Sequence, residues 1–194
     1  MLKKQDIATD VLVGIMLLLL FSNQFMFQSA ARIGEKIGLT AKESLGANYP
    51  LLLIGTIVLG IFVVIKGTSE LLNFMTGIIA SICLGGVILF AGQAANVVEL
   101  PSSSARISMS IGCYIYIALA YLVEVKCNEY ILKIWKRFIV IALGIVIGVW
   151  SLLSGQLDGL SIMKEYMTYQ QQFVEYFGNH IRMSFKVVLC GVII

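Results

Sequence analysis

Apolar residues run together in this chain for longer than a soluble core helix can use. Five stretches stand out: roughly Val11 to Phe27, Tyr49 to Ile65, Leu71 to Ala91, Ile107 to Val123 and Phe138 to Leu153, none containing Asp, Glu, Lys or Arg. The hydrocarbon core of a bilayer is about 30 Å thick and asks for about 20 mostly apolar residues per helix. Each stretch meets or approaches that length. The expected fold class is therefore all-α, a polytopic helical membrane protein with about five full transmembrane helices. Composition agrees, with 59% hydrophobic and 13% charged residues, whereas soluble domains carry about a quarter charged.

The segments between the spans complete the organisation. Two lysines precede the first apolar run and Ala30-Ala31 follow it, as in a signal peptide, but the run is long for that role and four more follow, so it reads as a retained helix. Residues 28–48 form a polar connection in which Thr40-Ala-Lys-Glu43 has the form of a capping box. Pro50 opens the second span, where a first helical turn tolerates it. The turn Lys66 to Glu70 is short enough to make the second and third spans antiparallel neighbours. Loop 92–106 carries Pro101 and three serines, and loop 124–137 is charged. Beyond Ser154-Gly155 the pattern changes: Met163, Tyr166, Phe173, Phe177 and Ile181 recur at helical spacing in a polar background. Such an aromatic amphipathic stretch belongs at a membrane surface. Three parts follow: an N-terminal bundle over 1–157, an amphipathic interfacial helix over 158–180, and an apolar helix over 181–194, too short to span and expected to be the incomplete beginning of a further membrane domain.

Orientation follows from the cations. With the N-terminus inside, the cytoplasmic side holds Lys3, Lys4, Lys66, Lys126, Lys133, Lys136 and Arg137, seven against the five of Arg32, Lys36, Lys42, Arg106 and Lys164 outside. Four of the seven lie in one short loop. The N-terminus is therefore expected in the cytoplasm of a multi-pass cell-membrane protein. The net charge is only +3 and no basic tract interleaves with stacking aromatics, so the bilayer is the expected partner and nucleic acid is not.

Candidate sites are sparse. Cys83, Cys113, Cys127 and Cys190 show no CxxC spacing, and His180 is the only histidine, so no metal ligand set is expected. Asp10, Glu70, Glu124 and Glu129 fall at the ends of spans, where solvated side chains are expected. Lys186 sits one turn inside the last apolar run, placed either to snorkel or to mark a transport path. Gly144 with Gly148, and Ser81 with Gly85, are small-residue pairs that serve either packing within the bundle or a dimer contact. Asn23 and Gln24 either line a cavity or are solvated at the interface. No nucleophile with a base, paired carboxylates or phosphate-cradling glycine loop occurs. No catalytic, cofactor-binding or metal residue is expected, and the chain does not read as an enzyme.

The string from Leu160 to Val188, with Phe173, Phe177, His180 and Ile181, resembles the approach to the permease core of ABC importers, most closely the glycine betaine, carnitine and choline (osmoprotectant) group. Cys190-Gly-Val-Ile-Ile194 is similar to the beginning of the first core helix, and residues 1–157 would be the block of extra membrane helices that some members carry. The resemblance implies transport of a small zwitterionic solute, a separate ATPase subunit and an extracellular solute-binding domain. The chain stops before the coupling loop that docks the ATPase, so it is expected to be the N-terminal part of a permease from a truncated or split gene. The alternative is a non-transporting membrane scaffold that assembles with or regulates a partner, favoured by the scarcity of intramembrane polar groups.

Overall fold

The computed structural model describes residues 7–29, 35–97 and 105–193, with side chains through 187. The chain divides into two compact units, Met1–Leu160 and Ser161–Ile194. The first unit contains helix α1 (Ile7–Leu19), strands β1 (Met26–Ser29) and β2 (Lys36–Leu39), the short helix α2 (Ala41–Leu45), helices α3 (Tyr49–Lys66) and α4 (Glu70–Val97), strand β3 (Arg106–Met109), and helices α5 (Ile111–Glu129) and α6 (Ile134–Leu153). Among the described residues, four helical stretches are long and apolar enough to cross a membrane: Ala41–Lys66, Glu70–Val97, Ile111–Glu129 and Ile134–Leu153. The helical polytopic class holds, and a three-stranded antiparallel sheet in the order β2-β1-β3 is added to it.

The sheet explains where the elements depart from the expected spans. The first span was expected over 11–27, but α1 ends at Leu19. Hydrogen bonds from Leu20, Phe21 and Ser22 to carbonyls three residues earlier tighten its last turn, and Ser22 Oγ donates to the Leu19 carbonyl at 2.9 Å. Polar Ser22, Asn23 and Gln24 then release the chain into β1, whose Phe27 pairs with Gly38 on one side and Ser108 on the other. The fourth span likewise begins at Ile111 rather than Ile107, because Ile107 and Met109 belong to β3. The connection 28–48 is not irregular throughout, since it contains β2 and α2. Asn23 and Gln24 are exposed, and the Gln24 carbonyl accepts from Gly112 N–H at 3.1 Å. A Cβ on Gly112 would lie 2.5 Å from that oxygen, so the close approach requires glycine.

Local signals set the other boundaries. Thr40 caps α2: its Oγ1 accepts from Glu43 N–H at 3.1 Å, and Glu43 Oε2 accepts from Thr40 N–H at 2.9 Å. Gly67, at φ 47°, ends α3. Ser110 caps α5, its hydroxyl accepting from Gly112 N–H. Gly155, at φ 73°, reverses the chain after α6.

Helix α4 is the centre of the bundle, packed on α3, α5 and α6, while α1 packs on α3 and α5. Small residues make that centrality possible, since Gly77, Ala80, Ser81, Gly85, Ala91 and Gly92 are all buried on α4. The most apolar windows of α4 and α5 are 44% and 39% buried, those of Ala41–Lys66 and α6 only 22% and 17%. The latter two helices therefore leave most of their apolar surface uncovered by the rest of the unit.

The second unit contains α7 (Ser161–Thr168) and α8 (Gln170–Ile193). Helix α8 runs without interruption through residues 180 and 181. The aromatic stripe does form one face: Phe173 meets Tyr166 edge-on at 5.4 Å and stacks on Phe177 at 5.9 Å between ring centroids.

Candidate functional site

Helix α5 carries a buried stripe, Gly112, Cys113, Tyr116, Leu119, Ala120, Val123, Glu124 and Cys127, at the three- and four-residue spacing of one helix face. Its polar members meet polar groups of α3 and α4 inside the bundle.

Nearer the sheet, Tyr116 hydroxyl lies 2.7 Å from Thr56 Oγ1. Thr56 Oγ1 also lies 2.7 Å from the Leu52 carbonyl, which takes the single threonine hydrogen. Tyr116 is therefore the donor to Thr56. Phe25 closes the space above with its ring edge-on to Tyr116 at 6.2 Å. Cys83 and Cys113 are buried thiols in this stretch of the bundle and Cys127 is buried nearer its other end, and the side chain of Cys190 lies outside the described residues.

Toward the other end, Ser81 Oγ lies 3.0 Å from Glu124 Oε2 and 2.7 Å from the Val140 carbonyl, joining α4, α5 and α6 at one point. Glu124 was expected in water at the end of a span, yet it is 4% exposed. The reason is that α5 continues to Glu129, so Glu124 falls within the helix and on its inward face. Lys66 is also buried, with Nζ 3.9 Å from Cys127 Sγ and 5.8 Å from the Tyr130 ring centroid. Other charges at this end engage partners nearer the surface. Lys136 Nζ donates to Glu70 at 2.9 Å, and Lys126 to Glu129 at 2.9 Å. Arg137 Nε donates to the Ile131 carbonyl at 2.7 Å.

Of the two small-residue pairs, three of the four residues make contacts within the unit. Gly144 faces the Ser81 carbonyl, and a Cβ on Gly85 would come within 2.7 Å of Ile147 Cβ, whereas Gly148 faces open space. At the sheet end, a cavity of about 460 Å³ is lined by residues including Glu43, Asn48, Gln93 and Gln156. Asn48 Nδ2 donates to Gln93 Oε1 at 3.0 Å, and Asn96 bridges to the turn after α6 through the Gln156 carbonyl and the Gly159 N–H. Among the described residues no group of three His, Cys, Asp or Glu is placed to hold a metal. His180 and Lys186 are exposed on α8. What the first unit offers chemically is hydrogen bonding within a lipid-embedded helix bundle, which holds helices together and can hold a proton.

Sequence reasoning missed the Ser81–Glu124 pair. The signal that finds it is the stripe itself, because Tyr116, Ala120 and Glu124 recur every four residues, which places the acid inward.

Residues 6–163 match the family model described as ABC transporter permease YehY, N-terminal domain. No curated protein matches the chain, and no solved structure does.

Proposed function

We propose, from the premise that this chain belongs to the family of ABC transporter permease YehY N-terminal domains, that it works in an importer of a small zwitterionic osmoprotectant such as glycine betaine or choline. The observation that carries the permease reading is the match over 6–163, which takes in the whole helical bundle. Membership makes the chain part of the membrane component of a transporter, and its four membrane-length helices make it a multi-pass protein. An ABC permease works with an ATPase subunit, which supplies the hydrolysis. A solute-binding domain on the outer face is the further partner in this reading.

The solute class is supported by the resemblance of residues 160–188 to the approach to an osmoprotectant permease core. In this reading α7 and the first half of α8 lie at the outer membrane surface, with Phe173 and Phe177 toward the acyl chains, and residues 181–194 lead into the translocating core. The bundle over 1–157 is an accessory module. The test is uptake of labelled glycine betaine and choline at high osmolarity in the source strain with and without this chain. Loss of uptake on deletion, restored by the chain supplied in trans, is the expected result. Unchanged uptake of both solutes sinks the osmoprotectant reading, and failure of the tagged chain to bring down an ATPase subunit turns the reading to a scaffold.

The orientation we propose places the N-terminus and Lys133 in the cytoplasm, which puts the sheet, α2 and Lys42 outside. The motive is the cluster of Lys126, Lys133, Lys136 and Arg137 at the α5–α6 end. In a chain with its native cysteines replaced, an impermeant maleimide applied to intact cells should label Lys42→Cys and spare Lys133→Cys. The opposite pattern reverses the topology.

A further inference from the structure

We propose that Glu124 is a buried proton-binding site. It carries its proton in the membrane and donates it to Ser81, so that a relay Glu124–Ser81–Val140 clasps α5 to α4 and α6.

The argument begins with hydrogens. Ser81 Oγ stands within hydrogen-bonding distance of two oxygens, Glu124 Oε2 at 3.0 Å and the Val140 carbonyl at 2.7 Å. A serine hydroxyl has one hydrogen to give, and a backbone carbonyl has none. An ionised carboxylate has none either. With Glu124 ionised, two acceptors would compete for one proton inside a site where Ser81 is fully buried and Glu124 is 4% exposed. With Glu124 protonated, each contact has its own hydrogen: the carboxyl donates to Ser81, and Ser81 donates to Val140, the shorter of the two.

The charges around the site point the same way. On α4, Glu70 is engaged by Lys136 of α6. On α6, Arg137 is turned to the Ile131 carbonyl and Lys133 is exposed. On α5 itself, Lys126 pairs with Glu129. Lys66 of α3 is directed to Cys127 and Tyr130 one turn farther along. Asp10 of α1 is of like sign and half-buried. Of the strands packed on α5, β1 carries no charge, and Arg106 of β3 donates to the Ala105 carbonyl at the sheet end. Among the described residues Glu124 thus has Ser81 as its polar partner and no cation within ion-pair distance. A carboxylate buried without a cation is too costly to persist, and such groups take up a proton instead.

The experiment is infrared difference spectroscopy on the full chain in lipid at neutral pH, wild type against Glu124→Gln. The expected result is a protonated carboxyl C=O band present in wild type and absent from the variant, moving to higher frequency in Ser81→Ala as the hydrogen bond is lost. A difference spectrum showing only carboxylate bands overturns the proposal. Stability in detergent supplies the second measurement. A glutamine amide donates to Ser81 as the carboxyl does, so Glu124→Gln should keep the wild-type unfolding midpoint while Glu124→Ala lowers it. A glutamine variant that unfolds as readily as the alanine variant, or does not fold, also overturns the proposal. The outcome is independent of whether the chain transports any solute.

Discussion

Tyr116→Ala is expected to destabilise the first unit by about 3–5 kcal/mol, the range for emptying a large aromatic site in a core. Tyr116 is fully buried and is the largest such side chain among the described residues. It is placed where α5 passes α3, with the Phe25 ring above it. Within lipid, helices gain little from the hydrophobic effect, so the contacts of that ring are dispersion contacts that a cavity forfeits outright. The hydroxyl contributes much less. Tyr116→Phe removes a donor from Thr56, whose own hydrogen stays on the Leu52 carbonyl, and should cost roughly 0.6 kcal/mol, the average for hydrogen bonds between membrane helices. Denaturant unfolding of both variants in detergent micelles checks the pair of values. Equal losses would mean that the hydroxyl, not the packed ring, holds α3 to α5.

Gly159→Val should act at the sheet end of the bundle, where the turn after α6 crosses α4. A Cβ on Gly159 would stand 2.5 Å from the Ala95 backbone and from Asn96 Oδ1. Backbone cannot swing aside as a side chain can, so the turn itself must lift. Lifting breaks the bond in which Gly159 N–H donates to Asn96 Oδ1 at 2.6 Å and strains the parallel bridge between Ile107 and Leu160. The expected cost is about 3 kcal/mol, the upper end of ordinary overpacking. Gly148→Ala is the control: with open space beside it, the substitution removes only backbone freedom from a helix and should be neutral or slightly stabilising. A Gly159→Val variant with wild-type unfolding would show that this turn is not seated on α4.

Long-range order in this chain was written plainly where one signal dominates. The capping box at Thr40 and Glu43, the turn after Lys66 and the proline at the start of α3 are local chemistry, and they form as their residues dictate. The α4 and α6 spans follow from apolar length alone. The strands were hidden because each is only four residues long, beside or inside an apolar run, and at that length Met26-Phe27 or Ile107-Ser108-Met109 reads equally as helix. Their pairing depends on partners about ten and eighty residues away in the chain, which no local window contains. Glu124 was hidden for a different reason. Averaged hydropathy treats an acid as the end of a span, while burial of that acid depends on Ser81, brought to it by the α4–α5 packing.

The length of α4 has a consequence for the lipid around the bundle. Its 28 residues rise about 42 Å, roughly 12 Å more than the depth of the hydrocarbon. A helix longer than the bilayer core tilts or carries its ends into the headgroups. Because α3, α5 and α6 all pack on α4, a change in its tilt is passed to each of them. Longer-chain lipids should let the bundle stand more upright, and shorter-chain lipids should lean it over.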